Sequence, residues 1–263
     1  TRRFGVMVAD GDGWILEFQE KVQHAKSNLA SMGVYVFSFA VLAEELRAVV
    51  GAKQGFDFGK DIIPGMLGRR RMLCFPFQGY WRDVGTIKSF HEANMDCLDP
   101  RSGLDLGQWE IRTAPDFGPT GQRSPTRLGA AASISNALVG RGCVIDGEVA
   151  HSILFPGVVV ESGAVLRDSI VMQDTIVGEG ARVEYAIVDK RCRLDAGAVI
   201  GTGSSATPNR DFPGHLDCGI SVVGKGATIP SGVQVGKNCI ICPGVDLTGR
   251  GVRAVGDGET VTG

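Results

Sequence analysis

The sequence predicts a chain in two parts: an incomplete α/β unit, then an all-β parallel β-helix of hexapeptide repeats. Three observations carry this. Val223, Ile229, Val235, Ile241 and Leu247 fall on one period of six, and Ala227, Val233, Cys239 and Val245 follow the first four at a fixed offset. Such a period suits neither an amphipathic helix nor a half-buried strand, but it is the mark of stacked β-helix coils. Ahead of residue 98, short strand-like runs alternate with helical ones. Between them, Leu98 to about Ala130 is rich in Pro, Gly and Arg and reads as a linker. The divisions are therefore 1–98, 99–130 and 131–263.

The elements follow in order. Phe4–Ala9 and Trp14–Glu20 alternate around the turn cluster Asp10-Gly11-Asp12-Gly13, which predicts a hairpin. Ser31–Phe37 is β-rich and apolar and is expected to be a buried strand. Leu42, Leu46, Val49 and Val50 share one face of a helix that ends at Gly51. Asp57 is placed to cap a helix start, and Lys60 and Asp61 to serve that start and its packing. Met72–Phe77 is expected to be a further strand. Thr86 caps a helix with the apolar face Ile87, Phe90, Ala93 and Cys97, and Pro100 stops it. Trp109 and Ile111 are the expected anchors of the linker. In the repeat, Val139 and Ile145 start a register continued by Val160, Leu166 and Met172, then Val177 and Val183, then Leu194 and Ile200 after a slip near Val188. Thr202–Cys218 breaks the repeat and predicts a loop thrown out from one coil.

Bulk properties exclude some functions. With 27 basic and 29 acidic residues and a net charge of -2, nothing suggests nucleic-acid binding. No apolar run is long enough to cross a membrane. Seven cysteines without C-x-x-C spacing point to a reducing, cytoplasmic setting. Cys143, Cys192 and Cys239 occupy small inward positions of the repeat, as small hydrophobes. A chain that opens at Thr1 with a strand-like run, and with no secretory signal, reads as a piece of something longer.

Several motifs resemble those of the glucose-1-phosphate adenylyltransferase family. Phe18-Gln19-Glu20-Lys21 is similar to its F-x-E-K-P motif, with Val22 in place of the proline. Leu29–Phe37 is similar to its ASMG-x-YVF strand, Asp57–Asp61 to its DFGKD run, and Tyr80–Thr86 to its YWRDVGT loop. Trp109, Ile111, Arg112 and Thr113 resemble the start of its linker. The resemblance implies a Rossmann-like nucleotidyltransferase domain, here only its carboxy-terminal part, followed by a left-handed parallel β-helix. It implies adenylyl transfer from ATP to glucose 1-phosphate, with Mg²⁺, in glycogen or starch synthesis. It also implies a homo-oligomer, a tetramer in the family, under small-molecule allosteric control. The family's glycine-rich nucleotide loop and a second metal-binding Asp do not occur in this sequence, so the chain alone is expected to be inactive.

The resemblance assigns Glu20 and Lys21 to glucose 1-phosphate, as hydroxyl acceptor and phosphate cation. By residue type alone the pair reads first as a solvated strand end, and it is the resemblance that favours the substrate role. Ser31 is assigned to the sugar phosphate or a hydroxyl, and Asp83 to the metal, where a hard carboxylate suits Mg²⁺. Lys21 and Asp83 are thus the catalytic candidates. Arg82 is expected to hold the loop. Three alternatives stay open: a β-helix that serves only as an oligomerisation scaffold; a non-catalytic regulatory homologue, against which intact Glu20, Lys21 and Asp83 argue; and a bifunctional uridyltransferase and acetyltransferase, against which the YWRDVGT and ASMG runs argue. For the last, His215 in the thrown-out loop would be the general base, though a surface histidine is the simpler reading of it.

Overall fold

A computed structural model describes residues 4–50, 57–109 and 123–263. They group into two compact units, Thr1–Trp81 and Arg82–Gly263.

In the first unit, β1 (Gly5–Ala9) pairs antiparallel with β2 (Ile15–Glu20), as the alternation predicts. The turn between them is closed by Asp10, whose carboxylate accepts the backbone N–H groups of Asp12 and Trp14 at 3.0 and 2.8 Å. β3 is only Leu29–Ala30, set on the other side of β1. Helix α1 spans Phe39–Val50. Asp57 caps the next element, accepting from the N–H groups of Gly59 and Lys60. That element is a π-type turn, Phe58–Ile62, which runs into the short helix α2, Ile63–Met66.

Two expectations fail in this unit. Ser31–Phe37 is not a buried strand: beyond Ala30 it forms no ladder, and Val34 and Val36 are 75% and 98% exposed. Met72–Phe77 is not a strand either, but makes a single bridge from Leu73 to Trp14, with Phe75 84% exposed. The composition of both runs is β-like. A strand, however, exists only where a neighbour takes its hydrogen bonds along a ladder, and the described residues supply only isolated ones, at Ser31 in the first run and at Met72 and Cys74 in the second.

The second unit begins with Asp83, the capping residue Thr86 and helix α3 (Ile87–Asp96). Thr86 and Ser89 form a reciprocal capping box. Of the expected linker residues, Trp109 is 46% exposed, and Ile111, Arg112 and Thr113 lie outside the described residues.

The rest of the unit is a parallel β-helix with three sheets of six, seven and seven strands. It is in register from Arg127–Leu128 to Thr260–Val261. Val223, Ile229, Val235, Ile241 and Leu247 all point inward, none more than 1% exposed. Cys143, Cys192 and Cys239 are buried as expected, and burial pushes each thiol up from its ordinary pKa. One register assignment is off by a residue. Val171, not Met172, enters the interior, and Met172 packs outside on a second apolar cluster. The repeat is broken between Ile200 and Ser221, where the expected loop emerges. Buried Asn209 and Asn238 pin that loop: Asn209 donates to Asn238 O, and Asn238 accepts from Gly219 N and donates to Thr207 O. Among the described residues no helix is long and apolar enough to cross a membrane.

Two outcomes test this architecture. Ile229→Asp places an unpaired charge in the closed interior and should cost about 4 kcal/mol or more. Thr228→Asp, whose side chain faces outward, should cost under about 1 kcal/mol. Chemical denaturation of both variants checks this, and equal losses would contradict the inward register. In the first unit, exposed Val36, Phe75 and Phe77 border an apolar cavity of about 1320 Å³. The chain should therefore bind the dye ANS in its native state and self-associate at micromolar concentration, which fluorescence and sedimentation measure.

Candidate sugar-phosphate and metal site

The strand order β2-β1-β3 places the end of β2 and the residue after β3 on opposite sides of Gly5. Glu20 pairs with Gly5, and Ser31 N–H donates to Gly5 O at 2.7 Å. Glu20 and Ser31 therefore flank the same end of β1, with Lys21 next in chain after Glu20. The chain turns sharply at Lys21, whose φ of 50° lies in the left-handed region and whose N–H donates to Phe4 O. Lys21 Nζ stands 3.4 Å from Glu20 Oε1, with the lysine side chain 56% exposed and the glutamate 19%. The pair presents a cation to solvent above a sheltered carboxylate. Ser31 Oγ lies 3.1 Å from the Tyr35 hydroxyl and accepts from Gly33 N–H.

The Asp57–Asp61 run completes this corner, a role that sequence reasoning gave only to helix start and packing. Phe58 stacks on Tyr35, with centroids 6.0 Å apart and planes at 11°. Gly59 lies directly against the Glu20 carboxylate: a Cβ there would fall 2.7 Å from Glu20 Oε2, and one on Gly5 would fall 2.9 Å from the same oxygen. Both glycines leave room for that carboxylate. Nearby, Glu45 of α1 is buried and accepts from Arg69 and Arg70, which hold its carboxyl below the usual range. This is a structural ion cluster, and no motif foretold it.

Asp83 belongs to the second unit. Its half-buried carboxylate makes no hydrogen bond or ion pair with any described residue. It lies over Gly85, where a Cβ would approach Oδ2 to 3.1 Å. No group of three His, Cys, Asp or Glu side chains among the described residues could enclose a metal. Asp83 is thus a lone carboxylate, with no second protein ligand for a metal gathered beside it among the described residues. Arg82 behaves as expected of a loop holder, pairing with Glu92 and Asp96 of α3 at 2.7 Å each.

His91 escaped sequence reasoning, although its place one turn after Ile87 on the apolar face of α3 was a signal. It is 4% exposed and its Nε2–H donates to the backbone carbonyl of Asp168 at 2.7 Å. Tyr185 packs edge-on against its ring. On the far side of the same corner, His151 Nδ1 meets the Asp168 carboxylate at 2.6 Å. His215 is exposed and its ring meets no described carboxylate.

A nucleotidyl transferase family model matches residues 1–100, and a GlmU-like C-terminal hexapeptide model matches residues 123–223. A glucose-1-phosphate adenylyltransferase of Acetivibrio thermocellus is 42% identical over 245 residues, 92% of this chain and 56% of that protein. One of Thermomicrobium roseum is 40% identical over 263 residues, 98% of this chain and 60% of that protein. One of Bacillus cytotoxicus is 42% identical over 200 residues, 75% of this chain and 52% of that protein. The chain thus spans little more than half the length of these relatives.

Two measurements probe the site's local physics. Gly59→Ala should displace the Glu20 carboxylate while costing only about 1 kcal/mol or less, since Ala suits a helical turn better than Gly. A crystal structure of the variant with Glu20 unmoved would contradict the seat. For His91, burial lowers the imidazole pKa from its ordinary value near 6.5. Asp168, Glu92, His151 and Tyr185 are the titratable neighbours in that balance. A depressed value means that the neutral ring stabilises the docked helix above about pH 6.5, and that this stability is lost as pH falls. The difference in melting temperature between the chain and its His91→Gln variant should shrink from pH 7.5 to pH 5. Over the part of their length that it spans, the chain is a homologue of the glucose-1-phosphate adenylyltransferases.

Proposed function

We propose that this chain provides the sugar-phosphate corner and one metal carboxylate of an enzyme that transfers adenylyl from ATP to glucose 1-phosphate. The products are ADP-glucose, for glycogen or starch synthesis, and pyrophosphate. The observation that carries the reading is the placing of the Glu20–Lys21 pair and Ser31 on the two flanks of one end of β1, in a chain about 40% identical to proteins of that name. In this reading the protein is a cytoplasmic homotetramer that responds to small-molecule effectors.

A phosphate oxygen of glucose 1-phosphate attacks the α-phosphorus of ATP, and pyrophosphate leaves with the electrons of the broken bond. Both reactants are anions, so the protein must neutralise and align rather than supply a nucleophile. Lys21 offers an exposed ammonium to the sugar phosphate. Glu20, held in place by Gly5 and Gly59, accepts hydroxyl hydrogens of the glucose ring. Ser31 adds a hydroxyl already oriented by Tyr35. Asp83 would hold Mg²⁺, which neutralises charge on the transferring group when bound.

The test fuses this chain to the remaining portion of the Acetivibrio thermocellus relative and assays ADP-glucose formation. Lys21 binds a phosphate that is anionic throughout, so Lys21→Ala should mainly raise KM for glucose 1-phosphate, with KM for ATP nearly unchanged. Asp83→Asn should mainly lower kcat, by about two to four decades. The 263-residue chain alone should show no turnover. Small, equal effects on every constant would return both residues to a solvated strand end and a loop cap. Acetyl transfer from acetyl-CoA, with no ADP-glucose formed, would favour the acetyltransferase alternative.

A further inference from the structure

We propose that the β-helix itself positions Asp83, through helix α3, and that His91 and Arg82 are the positioning residues. The inference rests on the reading of Asp83 as the metal carboxylate.

The path is continuous within the second unit. Asp83 is followed by Val84 and Gly85, whose bare Cα the carboxylate overlies, and then by Thr86, which closes the capping box with Ser89. A capped first turn fixes the entry angle of the preceding chain. Arg82, on the other side of Asp83, reaches along α3 to two of its acids, Glu92 and Asp96. The loop that presents Asp83 is therefore bound to α3 at both flanks. One guanidinium spanning two carboxylates leaves that flank little rotational freedom.

The helix is in turn fixed to the solenoid. Ile87, Phe90 and Met95 pack on the cluster of Ile170, Ile187, Leu216 and Ile220, which lies outside the coil interior. Apolar packing of this kind holds a helix on a sheet but tolerates sliding along it. His91 removes that tolerance, because its bond to Asp168 O is directional and buried. The acceptor is rigid as well. Asp168 is a corner residue in the left-handed region, φ 48°, stacked between His151 at 45° and Tyr185 at 50° in neighbouring coils. Its carboxylate is taken by His151, and its own N–H donates to Ala150 O. A shift of the helix by a fraction of a turn would break the His91 bond and carry Asp83 with it.

Two variants and two readouts decide the matter. His91→Leu keeps the apolar packing but removes the donor, and His91→Gln restores an N–H at nearly the same reach. In the 263-residue chain, His91→Leu should speed amide hydrogen exchange in α3 and in residues 82–86 together, with the β-helix unaffected. In the fused enzyme it should lower kcat about ten- to a hundred-fold, in line with an ångström-scale displacement. It should also raise the Mg²⁺ concentration for half-maximal rate several-fold, leaving KM for glucose 1-phosphate unchanged. His91→Gln should recover most of both losses, and Arg82→Met should reproduce them. Unaltered exchange at 82–86, or parental kcat and Mg²⁺ dependence in His91→Leu beside an impaired Asp83→Asn, would overturn the proposal alone. An Asp83→Asn enzyme with full activity would instead remove the metal reading, and the proposal with it.

Discussion

Each coil of the β-helix gives its strand hydrogen bonds to the coil before and the coil after, and the rest of the second unit depends on this. Val144 N–H donates to Val158 O, Val159 N–H to Thr175 O, and Ile176 N–H to Cys192 O, so successive coils close one ladder. Stacking aligns the inward side chains into columns in which each coil covers the next. It also leaves some N–H groups at corners, and these are met from within. Thr126, Thr175 and Ser221 each turn a hydroxyl to the N–H of Cys143, Cys192 and Cys239 one coil away. The three thiols then donate to carbonyls of the following coil, at Phe155, Gly224 and Gly256. The small inward residue of the repeat thus fills a volume and also joins coils.

This dependence explains what could be read from the sequence. A coil's interior is fixed by short-range spacing, so Val223 to Leu247 declared their burial by period alone. The error at Met172 arose where a corner changed length and the six-residue count ran one residue too far. The first unit is a different problem. Tyr35, Val36 and Phe75 have the composition of strands but are not strands among the described residues. Strand formation is a property of pairs, and a single run cannot announce its partner.

The site divides along the same line. Glu20, Lys21, Ser31 and Asp83 lie in short contiguous motifs, which is why they could be named. Of the residues around them, Arg82 and Thr86 could be named from the same motif, but Gly59 and His91 could not. Gly59 meets Glu20 across a gap of 39 positions, and His91 meets Asp168 across 77. A glycine carries no signal of its own when its partner is so distant, and the place of His91 on the apolar face of α3 marks its burial but not its partner. The candidate residues are therefore drawn from local sequence, whereas the contacts around them appear only on folding.

The third sheet of the β-helix makes the last connection. All of its strands but the last, Thr260–Val261, carry an apolar pair on the two faces, as in Ile153-Leu154, Ile170-Val171, Ile187-Val188, Val222-Val223 and Ile240-Ile241. The other two sheets carry Arg182, Arg193 and Gln234 outward beside their inward aliphatics. A sheet that is apolar on both faces must be covered on both. Inside, the coil covers itself. Outside, α3 and the loop between Ile200 and Ser221 supply Phe90, Leu216 and Ile220. The interruption of the repeat and the helix after Asp83 thus answer one need. Residues that complete the solenoid's packing are the same ones that fix the approach to Asp83. A substitution on that outer face, such as one at Ile170 or Ile187, therefore acts on fold and site together, whereas one on the outer face of the other sheets acts on neither.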